Sequence, residues 1–510
     1  MLLHQFFEAS VERHPEKVAL ICEGRRHTYG EINYLATRLA GALQHLGVER
    51  GDRVAVFMDN ALEAVVAIYA ALKAGAAIMP INALTKRDKL TYILNDARPA
   101  CLLTHQALAD VWREALAHNK SVRACLIAGE SSAPAVSGSR RLSLADALAL
   151  GGHHEKPLTI DQDLAGIIYT SGSTGDPKGV MLTHLNMVTA ATSVSTYLGL
   201  KPDDVILCVL PLAFDYGLYQ VLMGFKTGAT VVLEKSFAFP VKVLETMVGE
   251  RVTVFPGVPT IFSLLMNIKT LPDYDLSALR MITNTAAALS EQHILSLREL
   301  FPWATLFSMY GLTECKRVTY LPPEQLDVRP TSVGKGMPNE EVWLVDEHGN
   351  RLPNGSTGEL VIRGSHVMRG YWEKPRETAE RLKPGPHSGE MVLYSGDIFR
   401  TDEEGYLYFV ARKDDIIKTR GEKVSPREVE NVLYSLEGVL EAAVVGVPDP
   451  VLGQAIKAFV TMQPGYRYSE RDVIKYCLSR LENFMAPKYV VVVDALPKTD
   501  TGKIKKTGLR

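Results

Sequence analysis

The run Tyr169-Thr170-Ser171-Gly172-Ser173-Thr174-Gly175-Asp176-Pro177-Lys178-Gly179-Val180-Met181-Leu182-Thr183-His184 is the most informative stretch of the chain. It grows out of the strand-like GIIYT at 166–170. Glycines and hydroxyl residues crowd one loop. Small residues let the backbone approach a phosphate, and free N–H groups and hydroxyls then point at the anion. Lys178 adds a positive charge. No G-x-x-x-x-G-K-[ST] can be drawn through the run, which separates it from P-loop kinases and ATPases. Taken alone, the same residues also read as a plain Gly/Ser turn.

Working outward, the chain of 510 residues suggests about three folding units and can bury a large core without disulfides or metal. Its formal net charge of -2 argues against a general polyanion binder such as a nucleic-acid protein. The six cysteines, Cys22, Cys101, Cys125, Cys208, Cys315 and Cys477, show no Cys-x-x-Cys spacing. Neither a zinc site nor a disulfide framework is expected, and a cytoplasmic location fits. The start, MLLHQFFEASVERHPEK, lacks the pattern of a signal peptide. The apolar stretch 61–81 contains Glu63, Lys73 and Gly75, so a buried helix leading to a strand is expected rather than a membrane span.

Helical and strand signals alternate over 1–100, which predicts α/β layers with mostly parallel sheets. Residues 130–160 read as a surface loop with one short helix, with His153 and His154 solvated. Strand-like runs GIIYT, VILCVLPL, TVVLE, VTVFPGVP and LRMITN alternate with helices from 160 to 330. Gly and Asn turns separate short strands over 340–411, a smaller β-rich unit. After Arg412 the pattern turns mixed, with helices near 426–436 and 470–481 around a strand at EAAVVGV. The expected fold is α/β: a large multi-layer N-terminal domain over 1–411 with a β-rich subdomain, then a small mobile α+β domain over 412–510.

The loop YTSGSTGDPKGV resembles the phosphate loop of the adenylate-forming superfamily, which includes acyl-CoA synthetases, adenylation domains and firefly-type luciferases. Further runs match that family's signatures in order: Tyr310-Gly-Leu-Thr-Glu314, Gly358-Glu-Leu-Val-Ile-Arg-Gly364, Tyr394-Ser-Gly-Asp397, Arg412-Lys-Asp-Asp-Ile-Ile-Lys-Thr-Arg-Gly421 and Pro497-Lys-Thr-Asp-Thr-Gly-Lys503. Six motifs in family order span nearly the whole chain. The resemblance implies an enzyme that binds ATP with Mg²⁺, activates a carboxylic acid as an acyl-adenylate and passes the acyl group to a thiol. Loop residues Thr170, Ser171, Gly172, Ser173, Thr174, Gly175 and Lys178, with Tyr310, would bind the nucleotide. Thr313 would contact phosphate and Glu314 the Mg²⁺; a hard cation bridging phosphates takes such oxygen ligands. Asp397 would accept both ribose hydroxyls, with Arg412 beside it. Lys503 would be the catalytic lysine. A carboxylate approaching a polyanion needs positive charge, and a long ammonium can follow the reacting oxygens. Lys503 otherwise reads as one lysine of a basic tail with Lys505 and Lys506.

By the same resemblance Asp414 is a hinge. The C-terminal domain would rotate after adenylation, withdrawing Lys503 and bringing Gly421 in to shape a thiol tunnel. Thr283–Leu289 read TNTAAAL, with Thr285 and Ala286 at positions where relatives carry glycine, so their added methyl groups would narrow the wall of a pocket that Ala286 and Ala287 line. Cys315 would border the acyl pocket as a small buried thiol, not a nucleophile. Phe214-Asp215-Tyr216-Gly217 admits two registers. One resembles the Phe-Asp-x-Ser of amino-acid adenylation domains, whose aspartate binds an α-ammonium. The other resembles the Phe-His-x-x-Gly of CoA ligases. A buried aspartate needs a cation or donors. An amino or imino acid is the slightly favoured substrate, with protein partners at a helix start as the other reading of Asp215. The chain runs seven residues past Lys503. The thiol is therefore expected in trans, on a separate carrier protein or as CoA. A non-catalytic nucleotide-binding regulator is disfavoured by the intact Lys503, Glu314 and Asp397.

Overall fold

Local signals account for many element starts. Thr28 accepts from the Glu31 N–H while the Glu31 carboxylate reaches back to the Thr28 N–H (2.9 Å). This reciprocal cap opens the helix Tyr29–His45. Thr183 and Asn186 cap the helix His184–Tyr197 in the same way. The computed structural model describes residues 1–129, 140–152, 154–170, 177–285, 289–413, 415–419, 422–499, 504–506 and 508–509.

Over the described residues the strands form four sheets. The first has nine strands; Thr305–Tyr310, Met281–Asn284, Val254–Gly257, Val205–Cys208, Thr230–Leu233 and Val18–Cys22 run side by side and parallel. The second has eight strands, and its parallel members include Arg53–Met58, Ala77–Asn82 and Cys101–His105. At one side of it the antiparallel hairpin Leu164–Thr170 and Lys178–Thr183 is extended by Gly370–Tyr371. The third is a five-stranded antiparallel sheet over 340–412. The fourth, also five-stranded, starts at Ile417 and packs with the helices Pro426–Tyr434 and Glu470–Leu478. Only four residues separate Arg412, the end of one sheet, from Ile417, the start of the next. The fold is mixed α/β with a large N-terminal part and a small C-terminal α+β part.

One hydrophobic core joins the first two sheets through the helices Leu3–Arg13, Tyr29–His45, Leu62–Lys73 and Asp215–Thr227. Phe7 lies 4.6 Å from the Tyr69 ring and 5.2 Å from that of Phe225, one contact from each of three helices. The apolar run at 61–81 is a buried helix, Leu62–Lys73, followed by the strand Ala77–Asn82. Lys73 is buried and ion-pairs with Glu8. No helix among the described residues is long and apolar enough to cross a membrane. All six cysteines are buried free thiols.

Two details depart from the sequence reading. His154 is not solvated: it is half-buried, with Nε2 3.0 Å from the Lys73 carbonyl, and burial lowers its pKa. His153 and residues 130–139 lie outside the described residues. Thr305–Tyr310 is a further strand that its mixed Thr/Ser/Met composition had masked.

Candidate active site

The carboxyl ends of the parallel strands in the first sheet carry one part of the expected site, the usual place for ligands in such sheets. Tyr310 is the last residue of its strand, and Asn284 of the neighbouring one. The Tyr310 hydroxyl donates to Asp397 Oδ2 at 2.6 Å. Asp397 comes from the third sheet, on the strand Met391–Thr401, and is the register partner of Arg412 on Leu407–Arg412. That pairing sets Arg412 Nε 3.5 Å from Asp397 Oδ1. Gly396 directly before it has φ of 72°, and an added Cβ there would strike the Arg381 guanidinium, so glycine is required at this bend.

Asp397 is 8% exposed, and its Oδ1 accepts no hydrogen bond among the described residues. Burial raises its pKa, against the opposing pull of Arg412 and of the Tyr310 hydrogen bond. An orphaned buried acceptor of this kind costs about 1–3 kcal/mol unless something donates to it.

Glu314 lies in the turn after Tyr310. Its Oε1 accepts from the Tyr371 hydroxyl at 2.7 Å, and its carbonyl accepts from the Met368 N–H at 2.7 Å. Tyr371 is held by antiparallel pairing with Val180, on the strand that leaves the phosphate-type loop. Lys178, first residue of that strand, places Nζ 5.5 Å from the Tyr371 ring centroid. Lys178 and Glu314 therefore meet across one tyrosine. Thr170 ends the entering strand opposite Lys178. Thr313 is half-buried in the Glu314 turn. Ser171, Gly172, Ser173, Thr174, Gly175, Ala286, Ala287, Asp414, Gly421 and Lys503 lie outside the described residues. The flanks of Lys503 are anchored on the C-terminal unit, where Lys498 pairs with Glu441 (2.8 Å) and Lys506 with Glu430 (2.6 Å). A cavity of about 220 Å³ separates that unit from the N-terminal part, bordered by Pro259, His293, Arg427, Tyr434 and Lys506.

Asp215 is the first residue of the helix Asp215–Thr227. Lys316 Nζ donates to the Asp215 carbonyl at 2.9 Å and lies 3.5 Å from Oδ2. The same ammonium sits 4.4 Å from the Tyr219 ring centroid. Of the two readings left open for Asp215, the structure pairs it with a protein cation. Burial lowers the Lys316 pKa to about 7, with Asp215 acting against that shift. Cys315 is buried and its pKa is pushed well up by burial, which keeps it a thiol.

Tyr371 and Arg317 escaped the sequence reading as site residues. Tyr371 carries no local signal, because strand pairing alone brings it to Glu314. For Arg317 the available clue was its place beside Lys316, directly after the Tyr310–Glu314 run.

A family model described as AMP-binding enzyme matches residues 7–372, and one described as AMP-binding enzyme C-terminal domain matches residues 428–503. The chain is 31% identical over 536 residues to a long-chain-fatty-acid–CoA ligase of Bacillus subtilis (strain 168), across 99% of this chain and 94% of that protein. It is also 31% identical over 515 residues to tyrocidine synthase 1 of Brevibacillus parabrevis, of which it spans 44%. A crystal structure of an anthranilate CoA ligase in complex with anthranoyl-AMP superposes with a TM-score of 0.91 at 27% identity, over 100% of this chain and 96% of the other. The chain belongs to the AMP-binding enzyme family and is an AMP-forming ligase.

Proposed function

We propose that this chain is an ATP-dependent acid–thiol ligase: it adenylates a carboxylic acid with release of pyrophosphate, and a thiol then displaces AMP. The observation that carries this reading is the buried Asp397 carboxylate, with Tyr310 on one oxygen and no hydrogen bond to the other among the described residues. Ribose hydroxyls supply the missing donors, and Arg412 keeps the carboxylate ionised beside them. The nucleotide phosphates then extend toward Lys178 and the loop 171–176. Glu314 fits a Mg²⁺ site of the usual kind, one carboxylate completed by phosphate oxygens and water. Bound there, the ion would offset charge on the departing pyrophosphate.

In the first step an acid oxygen attacks the α-phosphorus in line with the leaving group. Lys503 supplies the ammonium that lowers the repulsion between two anions, and Thr313 steadies phosphate oxygens. Asp414 and Gly421 serve the later rotation and the thiol's approach. The Asp215–Lys316 pair favours a plain acyl or aryl acid over an amino acid, because the aspartate charge is already answered within the protein. CoA is the favoured thiol, since the relative spanned almost end to end is named a CoA ligase.

The test is acid-dependent exchange of labelled pyrophosphate into ATP. Lys503→Ala should depress exchange by about 100-fold or more while sparing thioester formation from preformed adenylate. Equal loss of both half-reactions would defeat the proposed division of labour. A panel of amino, aryl and fatty acids, each with CoA as acceptor, decides the substrate class.

A further inference from the structure

Beside the acyl side of this site sits a cation with nothing to hold. Arg317 is 1% exposed, and its Nε and Nη1 have no hydrogen-bond partner among the described residues. Its guanidinium lies 5.2 Å from the Tyr216 ring centroid. The Tyr216 hydroxyl is engaged by the Thr283 carbonyl (2.8 Å) and hydroxyl (2.7 Å), at the carboxyl end of Met281–Asn284. Gly311 holds the turn closed around Arg317: an added Cβ would lie 2.4 Å from the Lys316 carbonyl and 3.0 Å from the Arg317 Cα. Arg317 is thus wedged between the start of the helix Asp215–Thr227 and the ends of two parallel strands.

Asp215, the carboxylate at the start of the neighbouring helix, is engaged by Lys316, and no hydrogen bond joins it to Arg317 among the described residues. Glu340, whose charge reaches Tyr197 and Cys315 nearby, packs against His366 (2.8 Å). Burial pushes its pKa well up. Two further hydroxyls, Oγ1 of Thr285 and Oγ1 of Thr319, are likewise buried without a hydrogen-bond partner among the described residues. A guanidinium left dry and unpaired is expensive, and a carboxylate is the anion its N–H groups match best.

The geometry points to Arg317 as a specificity-determining residue that receives a second carboxylate on the acid substrate, so that the preferred substrate is a dicarboxylic acid. This rests on the adenylation reading above and narrows it. One carboxylate reacts with ATP; the other stays ionised on Arg317 and orients the chain of the acid. Its binding is the same in ground and transition states, so its loss raises KM and leaves kcat nearly unchanged.

The experiment is pyrophosphate exchange on the full chain with matched acids of equal length, one ending in a methyl group and one in a carboxylate. The parent should favour the diacid by at least about tenfold in kcat/KM. Arg317→Met should lower kcat/KM for the diacid by about 10- to 100-fold through KM, while changing the methyl-ended acid by less than about threefold. Arg317→Lys should recover part of the diacid activity. Exchange by the parent with methyl-ended acids in preference to diacids would overturn the inference and leave the adenylation reading standing. So would a folded Arg317→Met variant with the parent's ranking. Should Arg317→Met fail to fold, the parent's own ranking decides. No exchange with any acid would defeat the adenylation reading and the inference together.

Discussion

Replacing Asp215 by alanine removes the carboxylate that faces Lys316, and the cost should depend on pH in a calculable way. Lys316 has a folded pKa of about 7 against an ordinary value of 10.5, because its ammonium is fully buried. The unfolded chain therefore binds more protons than the folded one between about pH 7 and 10.5, and on this group's account stability rises across that window. In the variant the folded pKa falls further, so the window opens at lower pH. At pH 7 the parent lysine is already about half neutral, and losing its counter-ion costs less than about 1 kcal/mol. At pH 5 the parent amine is two units below its pKa and is held charged by the pairing. If the variant's pKa drops below 5, about 1.4 kcal/mol per unit gives a loss of about 3 kcal/mol. Loss of an acidic residue from the first helical turn adds about 0.3–1 kcal/mol at every pH. The assay is the thermal midpoint of variant and parent from pH 5 to 8 at matched ionic strength. The gap should be widest at pH 5 and shrink toward pH 8. A gap that stays constant, or one that widens toward alkaline pH, would refute the pairing argument. So would a parent that activates only amino acids and loses that activity in the variant, since Asp215 would then serve the substrate.

Asp397→Asn should raise the ATP Kd by about 10- to 100-fold, the worth of a charge-assisted hydrogen bond. Calorimetric titration with ATP and 2′,3′-dideoxy-ATP checks it: the parent should prefer the ribose form, and the variant should lose most of that preference. Tyr310→Phe removes a hydrogen bond that lowers the Asp397 pKa, so that pKa should climb further above its already raised value. Since the ionised form exists only above the folded pKa, ATP binding should fail at a higher pH on acidification than in the parent. A titration series from pH 7 downward reads this, and an acid limb that stays put or moves down contradicts it. Cys315→Ser should keep both half-reactions within about threefold, because the buried thiol forms no bond to the acyl group. Mass spectrometry finding an acyl group on Cys315 during turnover would sink that expectation.

Much of the site was legible because the chemistry is carried by short contiguous runs. A phosphate loop needs its glycines and hydroxyls adjacent in sequence, and Tyr310 through Glu314 lie on one strand end and its turn. Caps such as Thr28 with Glu31 are equally local. Asp215 shows the boundary of that legibility. Its helix start could be read from the chain, but its partner Lys316 lies 101 residues away, and neither register of Phe214–Gly217 points to it.

Sequence alone therefore determined the alternation of strands and helices and the family of reactions, and it named the candidate groups for the nucleotide. Tertiary structure decided which groups face one another. Tyr310 and Asp397 are 87 residues apart and Tyr371 and Glu314 are 57 apart, while Leu20 pairs with Val231 across the first sheet. Such meetings come from strand register and from burying apolar faces together, which no short window encodes. Arg317 is the sharpest case: its residue type is plain in the sequence, but the absence of partners for Nε and Nη1 is a property of everything packed around it.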